Sequence, residues 1–349
     1  MSIWRWADQW EPVSEASRLT LGEGNTPLVR SRSIGPQAGL QNLFFKLEST
    51  NPSGSYKDRF AAAAISHMIA QEQSTCVATS SGNTGAALAT YCAAGRLRCR
   101  IAIVETAPQA KLQQMLAYGA EIFRVRDFGT DATVTAKVFE RLNTLGEQPG
   151  HALQISAYAY SPLGMAGVES IAFELAEQAD EINHVFCPAG GGGLTLAVAR
   201  GFAKLGHQTA VHCVQPAGND TIAGPLRTGC DRAQAVTCTS RISGLQVASV
   251  IDGDEVIREC RPTGGTGHTI SDERIWECQK RLAREEGVFS EPAGAVALAG
   301  ALEAARRGEV GSEEHVVCLV TGTGFKDADS IERLNAAAEV PLIGYDALV

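Results

Sequence analysis

An α/β chain folded as two doubly wound lobes is predicted by three observations. Strand-like and helix-like runs alternate with short loops along most of the sequence. Three strand-to-helix turns carry residues that present amides, hydroxyls or a lysine to a ligand. The 349 residues, 44% hydrophobic and 20% charged, are enough for two packed lobes and normal for a globular protein.

The first unit begins with Leu43-Phe44-Phe45-Lys46-Leu47-Glu48, which has the character of a buried strand, followed by the turn Asn51-Pro52-Ser53-Gly54. Phe60, Ala61, Ala64, Ile65 and Met68 predict a helix, and Ser55 is placed to cap it. Lys57 then falls in the first helical turn, where the dipole disfavours a cation and lowers the amine pKa, as Schiff-base chemistry needs. Next, the strand Cys76-Val77-Ala78 enters Thr79-Ser80-Ser81-Gly82-Asn83-Thr84-Gly85 and a helix over 86–94, an anion-site arrangement. Strands over 100–104, 121–125 and 153–155 lead to helices over 110–118, 132–145 and 164–176. The strand 185–187 runs into Gly190-Gly191-Gly192-Gly193 and a helix over 194–204. Residues without side chains there let the backbone close on a phosphate. Strands over 211–214 and 315–320 complete the pattern, while 228–249 is polar and irregular and is expected to be a mobile surface excursion. Ligand is expected at the carboxyl ends of the strands.

A formal net charge of −9 argues against a nucleic-acid or anionic-membrane partner. No apolar run reaches membrane length and the first residues form no secretory segment, so a cytoplasmic protein is expected. The ten cysteines fall singly, without C-x-x-C, and the seven histidines lack paired ligand spacing, so no metal is assigned.

Taken together, the lysine turn, the Ser-Gly-Asn-Thr turn and the tetraglycine cup resemble the fold-type II pyridoxal-phosphate enzymes of the tryptophan synthase β superfamily. The resemblance extends from about Gly22 to the end of the chain, and within that superfamily it is nearest to the threonine synthases. Gly22-Glu23-Gly24-Asn25-Thr26-Pro27-Leu28, Gly54-Ser55-Tyr56-Lys57-Asp58-Arg59, Ser81-Gly82-Asn83-Thr84-Gly85, Glu291-Pro292-Ala293 and Thr321-Gly322-Thr323-Gly324-Phe325-Lys326-Asp327 carry it.

The resemblance implies pyridoxal 5′-phosphate as cofactor, an amino-acid substrate and a homodimer. It implies a small lobe over 51–160 and a large lobe formed by 1–50 and 161–349, with the cofactor between them. Lys57 would be the Schiff-base lysine and proton shuttle, and Asn83 would bond the cofactor's 3′ oxygen. Gly190, Gly191, Gly192, Gly193 and the Leu194 amide would hold its phosphate, and Thr321 would face the pyridine nitrogen. Ser81, Gly82, Asn83 and Thr84 match the loop that grips the substrate carboxylate, and Ser156 is expected beside the substrate. Glu291, before Pro292 at a helix start, reads as a structural cap. Asp58 and Arg59 read as salt-bridged supports, and Lys326 with Asp327 as a local surface pair.

Two features depart from the threonine synthases. The stretch Tyr160-Ser161-Pro162-Leu163-Gly164-Met165-Ala166-Gly167 lacks the arginine they usually carry for the substrate phosphate. The all-glycine cup is more familiar from serine and threonine dehydratases. Two activities therefore stay open: conversion of O-phospho-L-homoserine and water to threonine and phosphate, or β-elimination or β-replacement on a substituted amino acid. In the first, Thr84, Ser156 and Lys111 would meet the substrate phosphate.

Overall fold

A computed structural model describes residues 2–107 and 109–347. Its ten strands are β1 (Leu28–Arg30), β2 (Asn42–Leu47), β3 (Thr75–Thr79), β4 (Arg98–Val104), β5 (Glu121–Val125), β6 (His151–Gln154), β7 (His184–Pro188), β8 (Ala210–Pro216), β9 (Gly267–Ile270) and β10 (His315–Val320). They form two sheets. One has the order β1-β2-β10-β7-β8-β9, the other β5-β4-β3-β6, and only β1 pairs antiparallel. Parallel strands covered by helices on both faces need near-continuous apolar sequence. Val316 to Val320 in β10 are all buried for that reason.

The strand assignments from sequence hold within a residue or two, but β1 and β9 escaped them. With three and four residues, these strands carry too little pattern to stand out. The helix expected over 164–176 is broken into Pro162–Ala166, a tight turn Gly167–Glu169, and Ser170–Gln178. The break falls where this segment packs closely on Lys57–Ala70: a Cβ at Gly167 would stand 2.5 Å from the Arg59 carbonyl oxygen. The 110–118 helix is likewise a tight turn, Gln109–Leu112, followed by Gln113–Ala117.

Residues 228–249 hold no helix or strand, as expected, yet they are more than a surface excursion. Ile242 and Leu245 are buried, and the Gly244 carbonyl lies 3.2 Å from where a Cβ of Gly190 would be. The segment therefore packs over the glycine cup. No helix among the described residues is long and apolar enough to cross a membrane.

Beneath the Lys57 turn is a buried ionic cluster. Arg59 pairs with Glu48 (2.8 Å) and Glu174 (2.7 Å), and Lys46 pairs with Glu174 (2.7 Å). Two cations against two carboxylates leave the cluster neutral, and backbone amides of Asn25 and Thr26 supply further hydrogen bonds to Glu174. Arg59 thus has the supporting role its motif position suggested.

Candidate active site

The helix Lys57–Ala70 begins at the lysine itself. Ser55 does not cap it: Tyr56 occupies the cap position without a side-chain bond, and the buried Ser55 hydroxyl has no partner. Ser55 is instead drawn into a bridge with Gly322, and the Tyr56 amide donates to the Thr321 carbonyl (3.0 Å). These contacts fasten the lysine turn to the end of β10.

The Lys57 amine lies 4.5 Å from the Tyr56 ring centroid and donates to Ser156 Oγ (2.7 Å). Burial lowers its pKa to about 7 against the opposing pull of Asp252 and Glu291. The direction is the one expected from the sequence, with desolvation as its largest cause. Ser156 therefore sits at the lysine. It lies two residues beyond β6, because Ile155, expected to end that strand, is outside it.

Asn83 is the first residue of the helix Asn83–Gly95, whose cap position is Gly82. Its Nδ2 donates to Glu291 Oε1 (2.7 Å), reaching across 208 residues of chain. Ser81, Gly82 and Thr84 are half-buried around it, with the Gly82 amide donating to Ser80 Oγ (3.2 Å).

Glu291 corrects the sequence expectation. It occupies the cap position of the helix Pro292–Arg306 but makes no side-chain cap bond, because its carboxylate turns to Asn83. Burial raises its pKa to about 7, opposed chiefly by Lys326.

Lys326 and Asp327 are not a surface pair either. Lys326 Nζ donates to Gln114 Oε1 (2.7 Å), and burial lowers its pKa. Asp327 is buried, accepts from the Ser330 amide as a helix cap, and stands 3.5 Å from Lys111 Nζ. Lys111 also donates to Ser243 Oγ (2.6 Å) in the loop over the cup. Asp58 is no salt bridge: one carboxylate oxygen accepts from the Ser53 amide (2.6 Å), the other has no partner, and burial raises its pKa to about 7. Sequence reasoning missed Glu291 and Lys326. Each stood in a quoted motif, but only the folded distance tells a cap or surface residue from one turned to Asn83 or to the lysine turn.

Gly190, Gly191 and Gly192 lead from β7 into the helix Gly193–Leu205, whose amino end no side chain caps. Gly192 has φ +98°, and a Cβ there would stand 2.7 Å from Val256 Cγ2. At Gly193 a Cβ would meet Met165 Cε at 3.0 Å and Asp252 Oδ2 at 3.2 Å. Glycine is required at position 192, and the uncapped helix end suits an anion. Leu194 and Thr321 are buried, in the cup's helix and directly after β10 respectively. Asp252 accepts from the Tyr158 and Ala159 amides (2.9 and 3.1 Å), so a carboxylate tethers the segment after Ser156 beside the cup.

Where the sequence lacks an arginine, the backbone leaves no room at Gly164 for a side chain. A Cβ there would be 2.7 Å from the Phe60 ring and 2.9 Å from Ala64 Cβ. The helix Pro162–Ala166 lies flush against Lys57–Ala70.

Two parallel-stranded sheets, a half-buried lysine of depressed pKa, and a glycine cup at a helix amino end together define a fold-type II pyridoxal-phosphate enzyme. Residues 19–322 match the family of pyridoxal-phosphate dependent enzymes, and the chain belongs to that family. It is similar to the threonine synthase of Synechocystis, 31% identical over 91% of this chain and 81% of that one. The threonine synthase of Methanocaldococcus jannaschii is 27% identical over 98% of this chain and 84% of its own. Among solved structures, a processed threonine deaminase from Solanum lycopersicum superposes with a TM-score of 0.77 at 21% identity, covering 97% of this chain and 94% of that one, a likeness of fold. The family uses pyridoxal phosphate. The amine of tunable charge and the cradle that a Cβ would fill fit that cofactor.

Proposed function

We propose that the protein is a threonine synthase, converting O-phospho-L-homoserine and water to L-threonine and phosphate, with phosphate lost from Cγ and water added at Cβ. The observation that carries this reading is a pair of partly buried cations: Lys326, whose Nζ stands 3.9 Å from where a Cβ of Gly54 would be in the lysine turn, and Lys111, whose Nζ is 3.5 Å from Asp327 Oδ2. An anionic leaving group needs such charge, and two lysines here supply what the missing arginine would. The curated relatives support the same substrate class.

In this reading Gly190, Gly191, Gly192, Gly193 and the Leu194 amide hold the cofactor phosphate. Asn83 would hold the cofactor's 3′ oxygen, and Thr321 would interact with its ring nitrogen. Bound pyridoxal phosphate supplies an electron sink for charge at the substrate α carbon. Ser81, Gly82, Asn83 and Thr84 take the substrate carboxylate. Lys57 removes the α proton and relays a β proton, and Ser156 holds its amine in line. Lys111, Lys326, Thr84 and Ser156 receive the phosphate as it leaves Cγ, and water adds at Cβ. Neutral Thr321 leaves the ring less electron-withdrawing than a carboxylate partner would, which suits chemistry that must return a proton.

The all-glycine cup favours one second reading, a serine or threonine dehydratase. A substrate panel separates the two. Phosphate release from O-phosphohomoserine with threonine as product is expected, and loss of release in Lys326→Met assigns the cation. Efficient oxo-acid formation from serine or threonine without phosphate release would replace the first reading by the second.

The same reading places a homodimer in the cytoplasm. Ten free cysteines suit a reducing compartment, and exposed Val340, Leu342 and Tyr345 give the carboxyl end apolar surface for a second copy. Sedimentation equilibrium at twice the chain mass is the expected result.

A further inference from the structure

Far from the carboxyl ends of the strands, three cysteines meet that the sequence scatters. Cys76 in β3 lies in register with Cys99 in β4, and Cys92 comes from the helix Asn83–Gly95 that follows β3. All three are buried, and their sulfurs lie within 4.8 Å of one another. No carboxylate or imidazole joins the group among the described residues. The expectation that these cysteines are separate apolar residues, which gave no metal, did not anticipate a shared cluster.

We propose that Cys76, Cys92 and Cys99 form a three-coordinate site for a monovalent thiophilic cation of the Cu(I) class. The chemistry of the donor set selects it. Trigonal coordination with metal–sulfur bonds of about 2.3 Å spaces the sulfurs about 4.0 Å apart, within the spread the fold already provides. Zinc sites are closed by a fourth ligand, and calcium or magnesium by oxygens, neither of which the cluster offers. Sulfur donors alone select a soft ion.

Charge selects the valence. The three cysteines belong to a buried apolar core that also holds Leu88, Ala89 and Ile101, where an uncompensated charge is expensive. A monovalent ion reaches neutrality by displacing a single thiol proton to solvent, the fewest deprotonations that any cation would need in this core. The bound ion would join two strands to the helix whose first residue is Asn83, bracing the frame of the site without touching it.

The test is anaerobic titration of the holoenzyme with Cu(I) against a colorimetric chelator, in a background of Cys230→Ser and Cys238→Ser. Those two replacements remove the cysteines that are not buried. One equivalent is expected, with release of about one proton per ion. X-ray absorption should find three sulfurs near 2.3 Å. In Cys92→Ala the affinity should fall by more than the roughly 10–100-fold that loss of a supporting group costs. No uptake against the chelator, or fewer than three sulfurs on the bound ion, overturns the proposal whether or not Cys92→Ala folds. Unchanged affinity in folded Cys92→Ala overturns it too.

Discussion

At the Lys57 amine, burial and charge pull in opposite directions, and burial wins. A pKa of about 7 leaves half of the amine neutral at neutral pH. An ordinary lysine would be neutral in roughly one molecule in 3,000. Only the neutral amine attacks an aldehyde, so covalent capture of pyridoxal phosphate by the apoenzyme should accelerate as pH rises through 7 and level off above about 8. Stopped-flow absorbance reads this directly, and an inflection near 10 would show that the amine is not depressed. The cup gives a second prediction. A Cβ at Gly191 would meet Ile251 and Val247 at 3.4 Å, ordinary contact, so Gly191→Ala should bind cofactor nearly normally. Gly191→Asp adds a charge against a phosphate and should weaken binding at least about tenfold. Equal affinity of the two variants, by fluorescence titration, would move the phosphate elsewhere. Lys57 and the cup were legible because each depends on local punctuation within a few residues. Glu291 was not, because its partner Asn83 is 208 positions away.

The element on which the lysine stands is held by charge as well as by packing. Helix Lys57–Ala70 carries Arg59 into a pocket with Glu48, Glu174 and Lys46, all fully or nearly fully buried. A balanced buried cluster contributes little net stability, but removing one member strands the others. Glu174→Ala would leave Lys46 and Arg59 facing Glu48 alone, one buried positive charge in excess. Urea unfolding should show a loss of about 3–5 kcal/mol. A loss under 1 kcal/mol would mean that water already reaches the cluster. The sequence located this helix because its alanines and Phe60 announce it. It hid the partners, since Glu174 lies on Ser170–Gln178, a helix expected to run unbroken from 164. The break at Gly167 falls at a close contact with the Arg59 carbonyl, a tertiary constraint that no local pattern encodes.

Across the whole molecule, the buried titratable groups around the lysine turn make the apoenzyme's stability depend on pH in a distinctive way. Glu291 and Asp58 are buried acids with pKa values raised to about 7, while Lys57 is a base lowered to about 7. For the acids, the folded state holds protons that the unfolded chain has lost above about 4, so stability falls as pH climbs from about 4 to 7. For Lys57 the unfolded chain holds the extra proton between 7 and about 10.5, so stability rises over that window. The two slopes meet near neutrality, and the cofactor-free protein should be least stable there. Bound cofactor offsets the cost by mass action. Glu291→Gln removes one contributor while keeping an oxygen for Asn83. A shift from 4.5 to about 7 corresponds to at most about 3 kcal/mol. Apo Glu291→Gln should therefore melt higher than the parent at pH 8 and match it at pH 4, while turnover falls because the carboxylate whose charge offsets the lowering of the Lys57 pKa is gone. Scanning calorimetry at the two pH values decides the matter: a gain of equal size at both would mean that Glu291 does not titrate between them, and its carboxylate would have no part in tuning the amine.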